Sequence, residues 1–431
     1  MVQQISPAKS VSGVITLPGD KSISHRYAML ASVAQGTTKI QNYSTGADCQ
    51  STLGCVRDLG IKVEKQSGEV LIHGRGAAGL REPLAMLDAG NSGSTIRMFS
   101  GILAAQKFTS RIGGDESLSR RPMARIMQPL AEMGALITGE SHDGKEAQYP
   151  PLTIQGRPLR PLEYTLPMAS AQVKTAVLFA GLFAHGTTVV LEPVRTRDHS
   201  ELALREFGAE IEISGRTISL QGPAELQGKE LTVPGDLSSA AFFLVASLIM
   251  REANLTIHGV GLNPTRSALL DFLAGMGAQV KVLELVQSGG ELIGSIQVRS
   301  ARVKGGVLEG AQTAALIDEI PVLAILGAAS ENGLAVRDAA ELRVKETDRI
   351  ATVAENCRRM GIAIEVRPDG FDIPGKQKFH AAELDSFGDH RIAMAFAVAA
   401  LAADGPSTIL NSEAASVSFP EFYDTLARIA E

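Results

Sequence analysis

Several features that mark particular protein classes are missing from this 431-residue chain. It has no tryptophan, so tryptophan fluorescence cannot report on ligand binding. Its three cysteines, Cys49, Cys55 and Cys357, are odd in number and lack CxxC spacing. This argues against a disulfide framework and a zinc site, and it predicts small buried hydrophobic side chains. The eight histidines show no HExxH or other paired-ligand spacing, so we predict no metal.

Other absences concern the partners of the protein. No apolar run is long enough to cross a bilayer, and residues 1–9 lack the apolar core of a signal peptide, so we expect a cytoplasmic protein without a membrane partner. The net charge of −6 argues against a nucleic-acid partner, because a basic face is the usual footprint there. The chain has neither GxxxxGK[ST] nor a GxGxxG after a strand, which disfavours a P-loop kinase and a dinucleotide-dependent enzyme.

The length and composition are those of a globular protein with room for two or more domains. Although the chain is acidic, its basic residues cluster locally. Cationic clusters on an acidic protein indicate small anionic ligands. The clusters are Arg120–Arg121, Arg195 with Arg197, Arg343 with Lys345 and Arg349, and Arg391.

The stretch Leu17–Arg26 has the pattern of a strand end, a tight turn and a helix start. Unpaired backbone N–H groups and the helix dipole make such a start an anion site, and Lys21 and Arg26 add positive charge. The alternative is a helix that is merely capped by Asp20 or Ser22, with both cations in solvent. Repetition of the arrangement along the chain favours the anion site.

Six repeats are visible, each with a polar cluster, an Ala/Leu/Val-rich helix, a turn into a β-branched strand, and a second helix. In each of the first five repeats, the second helix ends in a hydrophobic residue followed by glycine, which predicts a left-handed backbone at the helix end. These glycines are Gly60, Gly134, Gly208, Gly277 and Gly361. The first helices begin near Asp20, Asn91, Ser170, Asp236, Asp318 and Asp389.

Repeats of this size do not match helical or leucine-rich solenoids and instead pack as βαβ-type modules around shared helices. We predict an α/β (α+β) fold of two similar domains, each of three βαβαββ-type repeats with helices packed inside sheets. Because Val233–Asp236 echoes Leu17–Asp20, the predicted domains are residues 18–234, and residues 1–17 plus 235–431. Repeat symmetry leads us to expect that the helix starts converge on one interdomain cleft, which would hold the active site.

The helix starts of the first half carry hydrogen-bond donors rather than bases. Gly93 lets backbone approach a ligand closely, and Arg121, just before Pro122, can grip a carboxylate or phosphate with two bonds. Ordinary alternatives stay open, namely a capped loop at Asn91–Ser94 and a solvated pair at Arg120–Arg121. The donors are Lys21, Ser22, Arg26, Asn91–Ser94, Arg97, Arg120–Arg121, Ser170–Gln172, Lys174 and Arg197.

The second half supplies carboxylates together with further cations. Asp318–Glu319 precede a helix start, where acidic residues also favour the dipole and can be purely structural. The polar run Leu342–Arg349 enters the second helix of the fifth repeat, and on a helix Lys345 and Arg349 would be i,i+4 neighbours on one face. Gly388–Arg391 opens the last repeat.

Cations from one half and carboxylates from the other suit a reaction between two anionic substrates that needs proton transfer. The cations neutralise the substrates, and a carboxylate removes or donates a proton. No Ser-His-Asp or Cys-His arrangement is present, so we expect no covalent enzyme intermediate.

These motifs resemble, in order and over nearly the whole chain, the 3-phosphoshikimate 1-carboxyvinyltransferase (EPSP synthase) family. That resemblance implies an enolpyruvyl transferase of the shikimate pathway to chorismate and the aromatic amino acids. The matching motifs are Leu17–Arg26, Gly90–Arg97, Arg120–Pro122, Ser170–Lys174, Thr196–His199, Arg343–Arg349 and Gly388–Arg391.

The resemblance implies a two-domain enzyme that closes on shikimate 3-phosphate and then phosphoenolpyruvate. The 5-hydroxyl of the shikimate would add to C2 of phosphoenolpyruvate while C3 is protonated, and the tetrahedral adduct would lose phosphate. No cofactor is implied, and we expect a monomer that binds these two small molecules.

The resemblance also assigns roles to individual residues. Asp318 matches the proton acceptor at the hydroxyl, Glu346 matches the proton donor at the methylene carbon, and Lys21 contacts both substrates. The shikimate 3-phosphate ligands implied are Lys21, Ser22, Arg26, Ser170, Ala171 through its backbone, Gln172, Arg197, Asp318 and Lys345. The phosphoenolpyruvate ligands implied are Lys21, Gly93, Arg121, Gln172, Arg349 and Arg391.

Two departures from the family pattern concern the site. Many members have serine in place of Ala171. Many also have a lysine two residues before a Phe-Pro, whereas here Val417–Ser418 precede Phe419–Pro420. Both departures resemble a subgroup that includes glyphosate-tolerant enzymes. That tolerance is associated with alanine at the position of Gly93, and glycine leaves room for the inhibitor, so we expect appreciable sensitivity to glyphosate.

Two alternatives stay open. One is a UDP-N-acetylglucosamine enolpyruvyl transferase, whose family has Lys-Asn and no arginine where this chain has Lys21-Ser22 and Arg26. Its usual Gly-Gly-Cys loop differs from Gly113–Asp115, although some members carry aspartate there. The other is a non-catalytic anion-binding repeat protein, which would have no use for the acids Asp318 and Glu346.

Overall fold

The computed structural model describes residues 1–66, 68–142 and 145–431. These residues divide into two compact units, which we name after one residue of each. The Lys21 unit comprises Gly19–Val233 and Ser288–Glu291, and the Asp318 unit comprises Met1–Pro18, Pro234–Gln287 and Leu292–Glu431. The predicted bounds lie within one residue of these, except that the four residues from Ser288 fall in the Lys21 unit.

The α-helices in the described part of the chain are short, and seven of the fourteen begin with a side-chain cap. Two 3₁₀ helices occur at Ala340–Val344 and Ser412–Val417. The α-helices are α1 (Lys21–Val33), α2 (Ala47–Asp58), α3 (Gly93–Leu103), α4 (Glu116–Ser119), α5 (Ala124–Glu132), α6 (Ala171–Gly181), α7 (His199–Glu206), α8 (Leu237–Ile249), α9 (Ala268–Gly275), α10 (Gly310–Ala315), α11 (Ile320–Ala329), α12 (Arg349–Arg359), α13 (His390–Leu401) and α14 (Phe422–Ile429).

The strands alternate with these helices along the whole described chain. They are β1 (Val2–Ile5), β2 (Ser10–Thr16), β3 (Gln35–Gln41), β4 (Lys62–Gln66), β5 (Glu69–Arg75), β6 (Leu87–Asp88), β7 (Thr109–Gly113), β8 (Leu136–His142), β9 (Lys145–Gln155), β10 (Glu163–Thr165), β11 (Gly186–Leu191), β12 (Ile211–Ser214), β13 (Thr217–Gly222), β14 (Glu230–Thr232), β15 (Glu252–Gly261), β16 (Gln279–Ser288), β17 (Glu291–Arg299), β18 (Gly306–Leu308), β19 (Leu334–Val336), β20 (Glu365–Arg367), β21 (Gly370–Ile373), β22 (Glu383–Asp385) and β23 (Ser407–Leu410).

In the described residues the strands form six sheets, five of which share one strand order. The sheet β10-β11-β13-β12 is typical: β10 and β11 are parallel and joined by α6, while β12 and β13 form an antiparallel hairpin after α7. The predicted βαβαββ repeat is therefore confirmed. The sixth sheet, β1-β23-β22, has three strands, and N-terminal β1 pairs antiparallel with β23.

Two strands belong to one unit although the helix that follows each of them in the chain belongs to the other. Strand β2 leads into α1 of the Lys21 unit but pairs with β15 of the Asp318 unit. Strand β14 leads into α8 of the Asp318 unit but pairs with β3 of the Lys21 unit. The Pro-Gly-Asp turns at residues 18–20 and 234–236 therefore mark two of the points where the chain passes from one unit to the other, and the short segment Ser288–Glu291 accounts for the others.

The first helix of each repeat is the centre of its hydrophobic core. All twelve residues of α13 are buried, and in α8 only Ile249 is left out of the buried set. A helix that is apolar on every side must be enclosed by other elements. Each unit accordingly has a hydrophobic core of its own, in which helices lie inside the surrounding sheets.

The five predicted helix-ending glycines all have left-handed backbone. Their φ angles are +83° at Gly60, +108° at Gly134, +97° at Gly208, +91° at Gly277 and +75° at Gly361. Each donates its N–H to the carbonyl three residues earlier, which satisfies a carbonyl of the last turn. The glycine pattern therefore located the ends of these helices correctly.

The three cysteines are buried, as the sequence predicted. Burial is the main cause that raises the pKa of the Cys55 thiol to about 12, and the same holds for Cys357. Both are therefore neutral, unreactive hydrophobic side chains near neutral pH. Among the described residues no helix combines the length and the apolar character needed to span a membrane.

A pair of glycine substitutions tests the role of backbone conformation. At Gly208 an added Cβ meets nothing within 4 Å, so Gly208→Ala adds only left-handed strain, and we expect the free energy of unfolding to fall by about 1–2 kcal/mol. Gly54 lies inside α2 with equally open surroundings, and Gly54→Ala should raise stability by about 0.5–1 kcal/mol. Urea unfolding followed by circular dichroism measures both; destabilisation by both substitutions to the same extent would contradict the assignment.

Candidate active site

The start of α1 is built by a tight turn and a side-chain cap. Gly19 is required in the turn, because a Cβ there would lie 1.8 Å from the Asn42 carbonyl oxygen. Asp20 accepts the Ile23 N–H at 2.9 Å, so the predicted capping is present. Lys21 is not left in solvent: its Nζ donates to Asp48 Oδ2 at 3.1 Å, and its side chain is 18% exposed.

Arg26 is buried inside the Lys21 unit, which rules out the alternative of a solvated cation. Its Nε donates to Ser200 Oγ at 2.6 Å and its Nη2 to Thr175 Oγ1 at 3.1 Å. Its Nη1 donates to the Ser22 carbonyl at 2.8 Å. Burial is the main cause that lowers the pKa of Arg26 to about 10, so this arginine still carries its charge near neutral pH.

The start of α3 brings together groups from the second and third repeats. Gln172 accepts from Arg97 Nη1 at 2.8 Å and donates to Ser94 Oγ at 3.0 Å. A Cβ at Gly93 would lie 3.0 Å from Arg97 Nη1 and 3.5 Å from Arg121 Nη1. Gly93 therefore leaves open a space that is bordered by two guanidinium groups.

The two adjacent arginines at 120 and 121 have different surroundings. Arg121 is 8% exposed, and its Nη2 donates to Asn91 Oδ1 at 2.6 Å and to Ser117 Oγ at 3.1 Å. Arg120 is exposed and pairs with Glu116 on the short helix α4. The solvated-pair alternative therefore holds for Arg120 and fails for Arg121.

The start of α6 separates two kinds of residue that the sequence grouped as donors. Ser170 caps the helix by accepting the Val173 N–H at 3.4 Å, and Ala171 is the first helical residue. Lys174 is fully buried, with its Nζ 2.6 Å from Glu201 Oε1 and 3.1 Å from Glu192 Oε1. The prediction that Lys174 is a candidate ligand donor is therefore wrong, because its ammonium group is paired with two buried carboxylates.

Arg197 lies in the loop between β11 and α7 and is partly exposed. Its charge is one of the causes that lower the pKa of Arg26, which places the two cations in one neighbourhood. Glu192, at the other end of this loop, accepts the Thr196 N–H at 3.2 Å. The buried Lys174 group therefore also holds the loop that carries Arg197.

Asp318 is surrounded by three cations of the Asp318 unit. Its Oδ1 lies 3.7 Å from Arg349 Nη1 and 3.8 Å from Lys345 Nζ, and its Oδ2 lies 4.0 Å from Arg391 Nη2. Arg391 also donates through Nη1 to the Asp318 carbonyl at 2.7 Å. Asp318 keeps 17% side-chain exposure, so a ligand can still reach its carboxylate.

Arg349 is the buried centre of this cluster. Its Nε donates to Asp389 Oδ2 at 2.8 Å, and its Nη2 donates to Glu346 Oε2 at 2.5 Å. Burial opposes its charge, but the combined attraction of Asp389, Glu346 and Asp318 raises the pKa of Arg349 above its ordinary value. The guanidinium is therefore permanently charged and fixed in position.

One local prediction in this region is wrong. Lys345 and Arg349 do not share a helical face, because the 3₁₀ helix ends at Val344, Lys345 is extended, and α12 begins only at Arg349. Asp348 caps α12 by accepting the Ala351 N–H at 3.0 Å. The two cations still meet at Asp318, because the extended link turns both side chains towards it.

Each unit therefore gathers its own share of the predicted site residues. That all of them serve one cleft stays a prediction. The Lys21 unit contains Lys21, Ser22, Arg26, Gly93, Arg121, Ser170, Ala171, Gln172 and Arg197, and the Asp318 unit contains Asp318, Lys345, Glu346, Arg349 and Arg391.

Sequence reasoning missed several residues that hold these groups. Asp48 binds Lys21, Asp389 binds Arg349, and Thr175 and Ser200 bind Arg26. Asp389 belonged to a recognised motif but received no role. The partners of Arg26 lie on α6 and α7, so only the tertiary fold brings them to α1.

Replacing Asp389 tests the buried charge pair. Asp389→Asn keeps a good cap for α13 but removes the charge opposite Arg349, and we expect the free energy of unfolding to fall by about 3 kcal/mol. The control is Glu355→Gln, which breaks an exposed pair with Arg359 and should cost less than about 1 kcal/mol. Urea unfolding at neutral pH measures both variants. Equal, small effects would mean that Asp389 does not stabilise the buried arginine.

Comparison with known proteins identifies the family of the chain. The family model described as EPSP synthase (3-phosphoshikimate 1-carboxyvinyltransferase) matches residues 5–426. The 3-phosphoshikimate 1-carboxyvinyltransferase of Solibacter usitatus is 64% identical and that of Koribacter versatilis 51% identical, over 100% and 99% of both chains respectively. An EPSP synthase structure from Acinetobacter baumannii superposes with a TM-score of 0.88 at 43% identity, covering 100% of this chain and 98% of that one. The chain therefore belongs to the EPSP synthase (3-phosphoshikimate 1-carboxyvinyltransferase) family.

Proposed function

We propose that the two groups of residues divide the family reaction between anion binding and proton transfer. As a member of this family, the chain transfers the enolpyruvyl group of phosphoenolpyruvate to shikimate 3-phosphate in the shikimate pathway. The observation that carries the division of labour is the environment of Asp318, an accessible carboxylate within 4.0 Å of three cations. A protein that only bound anions would gain nothing from a carboxylate in that position.

The phosphate of shikimate 3-phosphate binds, in this proposal, at the starts of α1 and α6. Lys21 and Ser22 at the first turn of α1 offer a cation, a hydroxyl and backbone N–H groups. Arg26 uses three of its five N–H donors to hold Ser22, Thr175 and Ser200, and it adds a buried positive charge behind the site. The remaining ligands proposed for this substrate are Ser170, the Ala171 backbone, Gln172, Arg197, Asp318 and Lys345.

Phosphoenolpyruvate binds, in this proposal, to three arginines that the fold has already fixed. Arg121 is held by Asn91 and Ser117, so little side-chain freedom is lost when it grips an anion. Arg349 and Arg391 are held by carboxylates of the Asp318 unit. The other ligands proposed for this substrate are Lys21, Gly93 and Gln172.

The proton transfers are assigned to Asp318 and Glu346. The 5-hydroxyl oxygen of shikimate 3-phosphate bonds to C2 of phosphoenolpyruvate, Asp318 takes the hydroxyl proton, and Glu346, in its protonated form, gives a proton to C3. The tetrahedral adduct then expels phosphate while the Glu346 carboxylate takes a proton back from C3, which restores the double bond. Before substrates bind, the cations stabilise Asp318 as a carboxylate, and substrate anions that draw on the same cations make it a better base.

Two further expectations accompany this proposal. We propose that the chain acts as a monomer and that it works in the cytoplasm. Gel filtration at enzyme concentrations used in assays measures the first, and fractionation of the source cells measures the second. A stable dimer, or recovery of the activity outside the cytoplasm, would contradict them.

Substitution of the two acids tests the assignment. Asp318→Asn and Glu346→Gln each remove a group that moves a proton, so we expect turnover to fall about 10²- to 10⁴-fold while equilibrium binding of shikimate 3-phosphate persists. The matched control is Glu341→Gln, which removes another carboxylate close to Lys345, at 3.4 Å, and should change turnover less than a few-fold. Phosphate release from phosphoenolpyruvate is the measurement.

The same assay separates the proposal from its alternatives. The unsubstituted enzyme should release phosphate with shikimate 3-phosphate as acceptor and none with UDP-N-acetylglucosamine. If Asp318→Asn turned over at the rate of the Glu341→Gln control, the proton-transfer role of Asp318 would be wrong even with the substrate correct.

Sensitivity to glyphosate stays a prediction, and the surroundings of Gly93 support it. Because no side chain fills the space beside Arg97 and Arg121, we expect a glyphosate inhibition constant comparable to the KM for phosphoenolpyruvate. Gly93→Ala places a methyl group 3.0 Å from Arg97 Nη1 and should raise the inhibition constant more than that KM. Competition kinetics against phosphoenolpyruvate measures both constants; an inhibition constant far above the KM in the unsubstituted enzyme would reject the prediction.

A further inference from the structure

His25 lies inside the Lys21 unit, between two proposed ligands, and has no part in the reaction described above. It is fully buried on α1, one residue before Arg26 and four after Lys21. Burial and the charges of Lys21 and Arg26 hold the pKa of His25 well below its ordinary value, so the ring is neutral. A neutral imidazole has one N–H group, and when the ring is buried this group needs a hydrogen-bond acceptor inside the protein.

That N–H group begins a line of hydrogen bonds through three buried hydroxyls. His25 Nδ1 is 2.7 Å from Thr52 Oγ1, which is 2.7 Å from Thr95 Oγ1. Thr95 Oγ1 donates to Ser92 Oγ at 2.8 Å. All three of these hydroxyl residues are buried completely.

Counting protons fixes the direction of every bond in this line. Since Thr95 gives its hydroxyl proton to Ser92, it must accept one from Thr52. Thr52 has then used its only proton and must accept from His25. The ring therefore carries its proton on Nδ1, and Nε2 has no hydrogen-bond partner among the residues described by the structure.

The line joins the places where the two substrates are proposed to bind. His25 is on α1, which begins with Lys21 and Ser22, and Ser92 is the cap of α3, which begins with Gly93. Thr52 lies on α2, four residues after the Asp48 that binds Lys21. Hydrogen bonds therefore connect the starts of α1 and α3 through α2.

We propose that His25 is a positioning residue, which through Thr52 and Thr95 fixes the start of α3, and with it Gly93, relative to the start of α1. This inference rests on the proposed function, because it assumes that Gly93 borders the phosphoenolpyruvate site. The physical reason is that each buried hydroxyl in the line can be satisfied in only one arrangement of the three helices. Interrupting the line leaves buried donors and acceptors unsatisfied, and the helix starts shift to relieve them.

Two substitutions of His25 distinguish positioning from simple filling of space. In asparagine the amide nitrogen can occupy the place of Nδ1 and keep the donor, whereas in glutamine it reaches the place of Nε2 and leaves Thr52 without its donor. We expect His25→Asn to keep the KM for phosphoenolpyruvate within about 3-fold, and His25→Gln to raise it about 10-fold, the loss expected for one unsatisfied buried group. The KM for shikimate 3-phosphate should change less than the KM for phosphoenolpyruvate in both.

Thr52 supplies a second pair that does not depend on the ring. Thr52→Val keeps the shape of the side chain but removes its hydroxyl, so it should raise the KM for phosphoenolpyruvate as much as His25→Gln does. Thr52→Ser keeps the hydroxyl and should leave that KM unchanged. The double variant His25→Gln/Thr52→Val should be no worse than the worse single variant, because both cut the same line. Urea unfolding by circular dichroism identifies any variant that does not fold. If His25→Gln fails to fold, the Thr52 pair decides.

Each outcome bears on the proposal. It is overturned if His25→Asn and His25→Gln raise the KM equally, or if Thr52→Val leaves it unchanged. Arg121→Met separates failure of this inference from failure of the proposed function. If Arg121→Met raises the KM for phosphoenolpyruvate and Thr52→Val does not, only the positioning role is wrong. If neither substitution changes it, the phosphoenolpyruvate site is misplaced and the inference fails with it.

Discussion

One constraint organises both units: the first helix of every repeat is buried on nearly all sides. An enclosed helix places polar residues at its ends, or along its length only where another group is positioned to partner them, because a buried polar side chain without a partner is costly. Residues such as Asp20, Ser92, Ser170 and Asp389 therefore occupy the cap positions. The groups that we propose to bind anions follow directly after these caps, so in this proposal the packing of the core and the chemistry of the site come from the same arrangement.

Three buried polar residues show how such partners are supplied. Lys174, His25 and Arg26 are polar residues inside enclosed helices, and each is matched by partners from other elements. Lys174 has two carboxylates, Arg26 has the hydroxyls of Thr175 and Ser200, and His25 has the hydroxyl line to Ser92. Satisfying a buried group requires its partners to arrive in one geometry, which explains how helices that are far apart in the sequence are kept in register.

Much of this could be predicted from sequence, because the relevant signals are local. The helix starts, the glycine-terminated helices and the βαβαββ repeat depend on caps, turns and periodicity within short windows. The burial of Lys174 could not be predicted, since its partners Glu192 and Glu201 come from two other elements. Lys345 and Arg349 were misplaced because helical spacing was favoured over the capping signal of Asp348, which starts α12 only after the extended link. Asp318 and its cations were found as separate motifs, and only folding shows that they surround one carboxylate.

The two Pro-Gly-Asp turns separate the segment Gly19–Val233 from the rest of the chain, and this has a consequence for folding during biosynthesis. Apart from the hairpin tip Ser288–Glu291, the Lys21 unit is one continuous segment, Gly19–Val233, which can fold once that segment has left the ribosome. By contrast, Val2 of β1 pairs with Leu410 of β23, a residue made 408 positions later. At about 5–20 residues per second, the first strand waits roughly 20–80 s for its neighbour. Strand β1 is thus synthesised long before its partner strand and is among the last to find its place in a sheet.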